Sequence, residues 1–328
     1  HELTLTPLQS ASGALVVEAG NDGYLGQMDI TVSNGVVSAA NWQVIPITTS
    51  IAEDTQVKAL VDLARAPFLS ANVNLSPVGN PSFITNHQLT RPVSTVLGVT
   101  STILDRRQVL ENSFNTAMAE IMRQNGNTNA AITQGFRFDS PVPGQGMVLE
   151  DGTIATGDIT IEDVYRFFPL IDLIATGDIT GGQLATIIES NLTDVFSNNV
   201  FAHQGGWMFG FAGIDINVDL ARLDGNRIVQ LRSQLTDLPI QANDVLSFTG
   251  CQRPFETDAS TLCSYRGFSN ITPLVDSTTG STLTSIDLFI RAVEAGQLPA
   301  TMKRNITDPN ATPMWPDAEF IQPLRGLP

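Results

Sequence analysis

The chain contains very little lysine, histidine or cysteine. Among its 328 residues there are three histidines and two cysteines, and lysine occurs only at Lys58 and Lys303. Acidic residues outnumber basic ones by 33 to 17, giving a formal net charge of −16. A protein of this charge is not expected to bind a nucleic-acid polymer or an anionic membrane through its whole surface. The other basic residues are arginines, whose planar guanidinium suits directed contacts with carboxylate or phosphate.

Long apolar runs are also missing. No run approaches the roughly 18 apolar residues that a transmembrane helix requires, so no membrane span is expected. The first residues, His1 to Leu5, do not resemble a secretory signal peptide. We therefore expect any targeting segment to lie upstream or to have been removed.

The scarcity of histidine limits metal chemistry. A two-metal hydrolase takes its ligands mostly from Asp, His and Asn side chains, but the only histidines are His1, His87 and His203, and no Asp-x-His or Gly-Asn-His motif occurs. We expect no complete dinuclear site and no hydrolase activity from this chain alone. His1 either completes a site built by another segment or has no metal role.

The two cysteines, Cys251 and Cys263, lie twelve positions apart in a stretch rich in Gly, Pro, Asp and Ser. A disulfide closing this loop fits an oxidising compartment and would stabilise the fold by about 3 kcal/mol on the loop-entropy model. The alternative is a pair of unrelated reduced thiols. A metal site is disfavoured because no histidine or third cysteine lies nearby. We predict the disulfide, and with it a periplasmic or extracellular protein.

Two kinds of pattern divide the chain. Residues 1–48 alternate between apolar stretches and turn residues, which predicts strands and hairpins. Residues 53–68 predict a helix ended by Pro67, and residues 70–100 predict an irregular loop. The apolar residues at helical spacing in the predicted helix are Val57, Leu60, Val61 and Ala64.

From about residue 100 onward, helix and strand patterns are mixed. Helices are predicted at 108–124, 181–196 and 285–295, and strands at 129–133, 209–219, 227–235 and 245–249. The heptapeptide Ile-Ala-Thr-Gly-Asp-Ile-Thr occurs twice, at 154–160 and 174–180. Its last residues, Thr160 and Thr180, are predicted helix N-caps, and Gln183 completes a capping box with Thr180.

Five motifs between residues 132 and 227 carry a family resemblance. They are Gly135-Phe136-Arg137, the stretch from Gly157 to Val164, Phe168-Pro169-Leu170, the stretch from Thr180 to Leu184, and His203-Gln204-Gly205-Gly206-Trp207. Their order resembles the C-terminal domain of the 5′-nucleotidase family, most closely its SoxB-type thiosulfohydrolase branch. The resemblance implies an α/β (α+β, mixed-sheet) domain that binds the substrate. It further implies two divalent metal ions (Mn or Zn) held by a separate N-terminal metallophosphoesterase segment, most of which is absent here.

The same resemblance divides the chain into three parts. Residues 1–50 are expected to be the C-terminal remnant of the metallophosphoesterase domain, because Val17 to Gly20 and Tyr24 to Gly26 resemble its close. Residues 51–100 are expected to be a linker helix and loop, and 101–328 the substrate-binding domain. His1 stands about where the last histidine of the family's Gly-His-x-His metal motif would be.

The family's substrate-binding residues can be carried over position by position. Arg107, or its neighbour Arg106, matches the first of two oxyanion-binding arginines, and Arg137, after Gly135, matches the second. For each arginine a surface salt bridge is the alternative. The further candidates are Asn112 and Asn115, for which helix capping is the equal alternative, and the loop residues His203, Gln204, Gly205 and Gly206, where His203 is equally well explained as a structural loop histidine.

The nucleoside clamp of the family is not preserved. Its first phenylalanine is replaced by Leu170, and the region of its second phenylalanine is replaced by the Cys251–Cys263 loop. Base stacking worth about 1–3 kcal/mol would be lost, which disfavours nucleotide substrates. The resemblance therefore implies metal-dependent hydrolysis of a phosphate or sulfur ester-like group, on an anionic small molecule or a protein-bound sulfur substrate. The alternative is a non-catalytic binding or surface-assembly protein that retains the domain.

Overall fold

The computed structural model describes residues 5–18, 24–47, 50–71, 73–74, 88–106, 108–135, 141–149, 152–168, 172–197, 199–203, 206–251, 262–263, 265 and 267–309. Its helices are α1 (Thr55–Arg65), α2 (Ser113–Gly126), α3 (Ile161–Phe167), α4 (Gly181–Phe196) and α5 (Ser285–Glu294), with 3₁₀ turns at Ala66–Leu69 and Val200–Ala202. None of these helices has the length and apolar character needed to cross a membrane.

The strands are short except in one hairpin. They are β1 (Leu8–Gln9), β2 (Leu15–Val16), β3 (Tyr24–Ser33), β4 (Val36–Pro46), β5 (Val73–Asn74), β6 (Gln88–Leu89), β7 (Val96–Val99), β8 (Ala130–Thr133), β9 (Asp158–Thr160), β10 (Ile174–Thr180), β11 (Gly210–Ala212), β12 (Ile214–Val218), β13 (Ile228–Ser233), β14 (Val245–Cys251), β15 (Ser269–Pro273) and β16 (Ile306–Thr307).

A five-stranded sheet of order β11-β8-β14-β10-β15 organises the larger part of the molecule. β8 and β14 run parallel, whereas β10 is antiparallel to both β14 and β15, and β11 is antiparallel to β8. A second sheet has the order β13-β12-β16, with β12 and β16 parallel. These mixed sheets confirm the α/β class predicted from the sequence.

Helices cover both faces of the central sheet. One core joins α2, α3 and α5, where the ring of Phe114 stacks on that of Phe167 at 3.9 Å between centroids. The other core lies between α4, the central sheet and the smaller sheet, and includes Leu184, Ile188 and Phe248. The buried face of each helix therefore supplies one half of a two-layer core.

Several sequence predictions are confirmed residue by residue, and two need correction. Helix α4 spans the predicted 181–196, and α5 and β8 lie within one residue of their predicted bounds. Helix α2 begins at Ser113, five residues later than predicted, because its N-cap is Asn112. The predicted strand 209–219 is two strands, β11 and β12, because Gly213 between them has φ +81°.

The N-terminal arm, residues 5–71, differs from the rest. Its hairpin β3–β4 pairs only with itself in the described chain, and α1 has no buried residue, so the predicted apolar face of that helix is exposed. The arm joins the domain through the Arg65–Glu162 ion pair at 2.5 Å and the Val93 N–H, which donates to the Phe68 carbonyl at 2.9 Å. No described residue of the arm belongs to either core.

A short C-terminal strap, residues 303–309, runs back over the domain. It contains β16, which pairs with β12. The Lys303 ammonium pairs with Asp215 at 3.1 Å, and Asp308 accepts the backbone N–H of Leu220 at 3.2 Å. The strap thus supplies one outer strand of the smaller sheet.

Candidate oxyanion-binding site

The N-terminus of α2 forms the floor of the candidate site. The side chain of Asn112 caps the helix by accepting the backbone N–H of Asn115 at 2.9 Å, and both asparagines are buried. Asn112 therefore performs the capping role that the sequence left open. The first turn of a helix carries free N–H groups and a positive dipole end, which favour a nearby anion.

Arg106 lies directly against this helix end. Its Nε donates to Oδ1 of Asn115 at 3.0 Å, and its Nη1 donates to the carbonyl oxygen of Phe167. The guanidinium sits 4.3 Å from the centroid of the Phe114 ring, within reach of a cation–π interaction. The arginine is buried, so its orientation is fixed by packing. The amide nitrogen of Asn115 is buried without a hydrogen-bond partner in the structure.

The end of β8 approaches the loop before β11 very closely. A Cβ on Gly135 would lie 2.1 Å from the carbonyl oxygen of Trp207, so only glycine fits there. The backbone N–H of Trp207 donates to Gly135 O at 2.8 Å, and its indole N–H donates to the carbonyl of Arg106 at 2.6 Å. Gly206 has φ +123° and lies beside Gly135. Trp207 therefore hydrogen-bonds to two segments at once: the one that precedes candidate Arg137 and the one that precedes candidate Arg107.

His203 lies at the other end of the same loop. Its Nε2 is 2.6 Å from the carbonyl oxygen of Ser197, and the residue is exposed. This contact is the one expected of a histidine that stabilises its own loop. A site role for His203 stays a prediction.

Some candidate residues lie outside the described part of the chain. They are His1, Arg107, Arg137, Gln204 and Gly205, together with Leu170 of the lost clamp. The structure thus brings Asn112, Asn115, Gly135 and Gly206 around Arg106 and Trp207. The remaining assignments stay predictions.

The described ranges contain no cluster of three or more His, Cys, Asp or Glu side chains that could hold a metal ion. These residues therefore do not supply the donor set that a dinuclear centre requires.

The two cysteines are adjacent at the end of β14. Both are buried free thiols that hydrogen-bond to each other, so the predicted disulfide is not formed in this structure. Burial raises the pKa of both the Cys251 and the Cys263 thiol, which keeps them protonated. The disulfide stays a prediction that their proximity allows.

Two residues at this site were missed by the sequence reasoning. Trp207 belongs to one of the sequence motifs, but the sequence does not indicate that its half-buried indole N–H donates to the carbonyl of Arg106. Glu111, a buried carboxylate next to Asn112, was not considered. Its partners Asn305 and Ile306 lie 194 and 195 positions away, so no local pattern indicates them.

The sequence matches a known family over part of its length. Residues 93–248, just under half of the chain, match the family described as 5′-nucleotidase, C-terminal domain. This match confirms the family resemblance seen in the sequence motifs. No curated protein matches the chain.

Solved structures share the fold of this chain. The sulfate thiohydrolase SoxB of Thermus thermophilus, in complex with glycerol, has a TM-score of 0.68 at 15% identity, covering 95% of this chain and 49% of its own. A 5′-nucleotidase precursor, also from Thermus thermophilus, has a TM-score of 0.61 at 17% identity, covering 94% of this chain and 54% of its own. The chain therefore spans about half the length of these proteins.

Proposed function

We propose that this chain is the substrate-binding part of a bimetallic hydrolase of the 5′-nucleotidase/SoxB type. Its substrate would carry a phosphate or sulfur ester-like group, either on an anionic small molecule or on a protein-bound sulfur carrier. Two divalent metal ions (Mn or Zn) would be held by an N-terminal metallophosphoesterase segment. The residues of this chain would bind and orient the oxyanion, and the protein would work in the periplasm or outside the cell.

The observation that carries this proposal is the fixed guanidinium of Arg106. Its contacts with Asn115 and the Phe114 ring hold the segment that leads into Arg107 against the N-terminus of α2. The two hydrogen bonds of Trp207 hold the end of β8, which leads towards Arg137, beside the same segment. Arg107 and Arg137 would supply the charged hydrogen bonds, because a planar guanidinium suits a tetrahedral oxyanion.

The exposed N-terminal arm supports the proposed partner segment. A two-stranded hairpin alone is at best marginally stable in water, and contiguous exposed apolar surface marks an interaction site. The solved relatives are about twice as long as this chain, which leaves room for a covering segment. The exposed large apolar residues of the arm include Leu8, Val16, Leu25, Ile30, Val32, Val36, Val37, Val57, Leu60 and Leu63.

The oxyanion role can be tested by binding of sulfate to the 328-residue chain. Replacement of Arg137 by Ala should weaken binding about tenfold or more, since a charged hydrogen bond contributes about 1.5–3 kcal/mol. Arg232→Ala is the matched control, because Arg232 is a half-exposed arginine already paired with Asp237 at 2.8 Å. Equal losses in both variants would show bulk electrostatics only and would remove the site.

The division of labour can be tested by activity. The chain alone, supplied with Mn²⁺, should not hydrolyse a generic phosphodiester, whereas the polypeptide extended by the residues encoded upstream of His1 should do so. Turnover by the chain alone would contradict the proposal. An upstream sequence without Asp-x-His and Gly-Asn-His motifs would favour a non-catalytic protein instead.

The compartment can be tested through Cys251 and Cys263. In an oxidising compartment the two adjacent thiols should be joined, so the native protein should contain no thiol that reacts with an alkylating agent after unfolding without reductant. Recovery of two alkylated cysteines from the native source would contradict both the disulfide and the location it supports.

A further inference from the structure

Glu111 is a buried carboxylate at the junction between the candidate site and the C-terminal strap. It immediately precedes the cap residue Asn112 and is almost inaccessible to solvent. Its Oε1 accepts the backbone N–H of Asn305 at 2.8 Å, the Asn305 side-chain amide at 3.2 Å and the Thr116 hydroxyl at 3.2 Å. Its Oε2 accepts the backbone N–H of Ile306 at 3.1 Å. Both oxygens are thus engaged by donors.

Three of these four bonds come from the strap. Asn305 is itself held on the other side, since its side-chain amide also donates to Phe211 O at 2.8 Å and its Oδ1 accepts from Gln234 at 2.8 Å. A carboxylate that is buried with this many donors is held in one position, because moving it would leave several buried polar groups without partners.

The fourth bond leads to the site. Thr116 lies in the first turn of α2, whose cap Asn112 follows Glu111 directly, and the neighbouring Asn115 holds the Arg106 guanidinium. A displacement of Glu111 would therefore move the cap, and with it the amide that orients the arginine. The contacts therefore run from Asn305 to Glu111, and from the next residue, Asn112, to Asn115. Asn115 in turn contacts the Arg106 guanidinium.

We propose that Glu111 is a positioning residue for the oxyanion site, which acts by clasping the C-terminal strap to the loop that carries Arg106 and Asn112. This inference rests on the proposed function, since it requires that the site bind an anion. In this proposal the strap contributes to anion binding indirectly, through Glu111, and not by contacting the anion. Its contribution is to keep the loop from relaxing away from α2.

The sign of the effect separates positioning from simple electrostatics. Glu111 carries negative charge close to a site for anions, so neutralising it should strengthen anion binding if charge alone mattered. If Glu111 positions the loop, the same change should weaken binding. The amide nitrogen of glutamine cannot accept a hydrogen bond, so at least one bond from an N–H group would be lost. The two mechanisms predict opposite results for one substitution.

The experiment is calorimetric titration of the full chain with sulfate at pH 8. Burial raises the pKa of Glu111 to about 7, so the carboxylate is ionised at this pH. Glu111→Gln should weaken sulfate binding about tenfold, the loss expected for one charged hydrogen bond. Gln234→Ala is the matched control: it loosens the same strap by removing the bond to Asn305 without touching Glu111, and it should leave sulfate affinity within about twofold of wild type.

Unchanged or tighter sulfate binding by Glu111→Gln, with a native circular dichroism spectrum, would overturn the inference while leaving the site intact. Equal weakening in Gln234→Ala, which leaves every Glu111 hydrogen bond in place, would overturn it as well, because the strap would then act on the site without Glu111. Failure of the wild-type chain to bind sulfate would instead remove the proposed function on which the inference depends. Glu111→Ala, which removes the acceptor of all four hydrogen bonds, should weaken binding further than Glu111→Gln.

Discussion

The two copies of Ile-Ala-Thr-Gly-Asp-Ile-Thr show the same seven residues in two different structures. In the second copy all seven residues form β10, each paired with a residue of β14. In the first copy only the last three form a strand, β9, at the edge of a small sheet with β7. The first isoleucine is buried in one copy (Ile174, 0% exposed) and exposed in the other (Ile154, 69%).

The end of the motif behaves identically in both copies. Ile159 and Ile179 are both buried, and Thr160 and Thr180 both cap a helix with a complete capping box. Capping depends on residues three positions apart and is therefore local. The conformation of the first four residues depends instead on which strand is available for pairing. The comparison separates local from tertiary control within one heptapeptide.

The largest difference between the copies should come from the first isoleucine. Ile174→Ala should lower the free energy of unfolding by about 2–5 kcal/mol, because it leaves a cavity in the core, whereas Ile154→Ala should change it by less than about 0.5 kcal/mol. Urea denaturation of the two variants measures both values. Similar losses would mean that the exposed copy is covered in solution.

For the glycines, the larger loss of stability should come from the first copy and not from the second. Gly157 has φ +76°, and a Cβ there would lie 2.5 Å from the carbonyl oxygen of Thr100, whereas the nearest atom to a Cβ on Gly177 is 3.2 Å away. Gly157→Ala should cost about 1–3 kcal/mol and Gly177→Ala less than about 1 kcal/mol. Thermal melts of both variants would show whether this ordering holds; a lower melting temperature for the Gly177 variant would contradict it.

The capping threonines should respond alike. Thr160→Ala and Thr180→Ala should each lower stability by about 1 kcal/mol, since each removes the side-chain acceptor of one helical N–H. Serine at either position, which keeps the hydroxyl, is the control and should recover most of the loss. Losses that differ by more than about 0.5 kcal/mol would show that tertiary context also controls the caps.

The aspartates should give the smallest effect. Asp178 accepts the side-chain amide of Asn270 at 2.7 Å on the exposed face of the sheet, whereas Asp158 is exposed. Asp178→Ala should cost about 0.5 kcal/mol and Asp158→Ala nearly nothing. A loss above about 1.5 kcal/mol for Asp158→Ala would contradict this expectation, because it would show that the Asp158 carboxylate has a partner in solution.

The repeat also explains what could be predicted from the sequence. Helix α4 and its cap follow from local chemistry, so their bounds were predicted correctly. The late start of α2 was missed because Asn112 competes with the apolar pattern upstream of it. The burial of Ile174, but not of Ile154, depends on β14, which lies about seventy positions away. No periodicity within the heptapeptide carries that information.

The candidate site divides in the same way. Asn112, Asn115 and Gly135 were indicated by a family motif and lie together in the structure. The hydrogen bond from the Trp207 indole to Arg106 was not predicted, because it joins segments 101 positions apart. The contact between Arg106 and the Phe114 ring was not predicted either, because no periodic pattern indicates which face of a ring an arginine will cover. The exposure of Val57 and Leu60 was missed for the converse reason: helical spacing predicts an apolar face but not what covers it.

The strap has a consequence for the order in which the protein can fold during its synthesis. Glu111 and its partner Asn305 are separated by 194 positions. At a translation rate of about 5–20 residues per second, Glu111 waits roughly 10–40 s for that partner to be made. Throughout this interval its carboxylate must remain hydrated, and the smaller sheet lacks β16. A nascent chain that has not yet reached the strap should therefore stay open at α2, exposed to chaperones and proteases, until β16 is released.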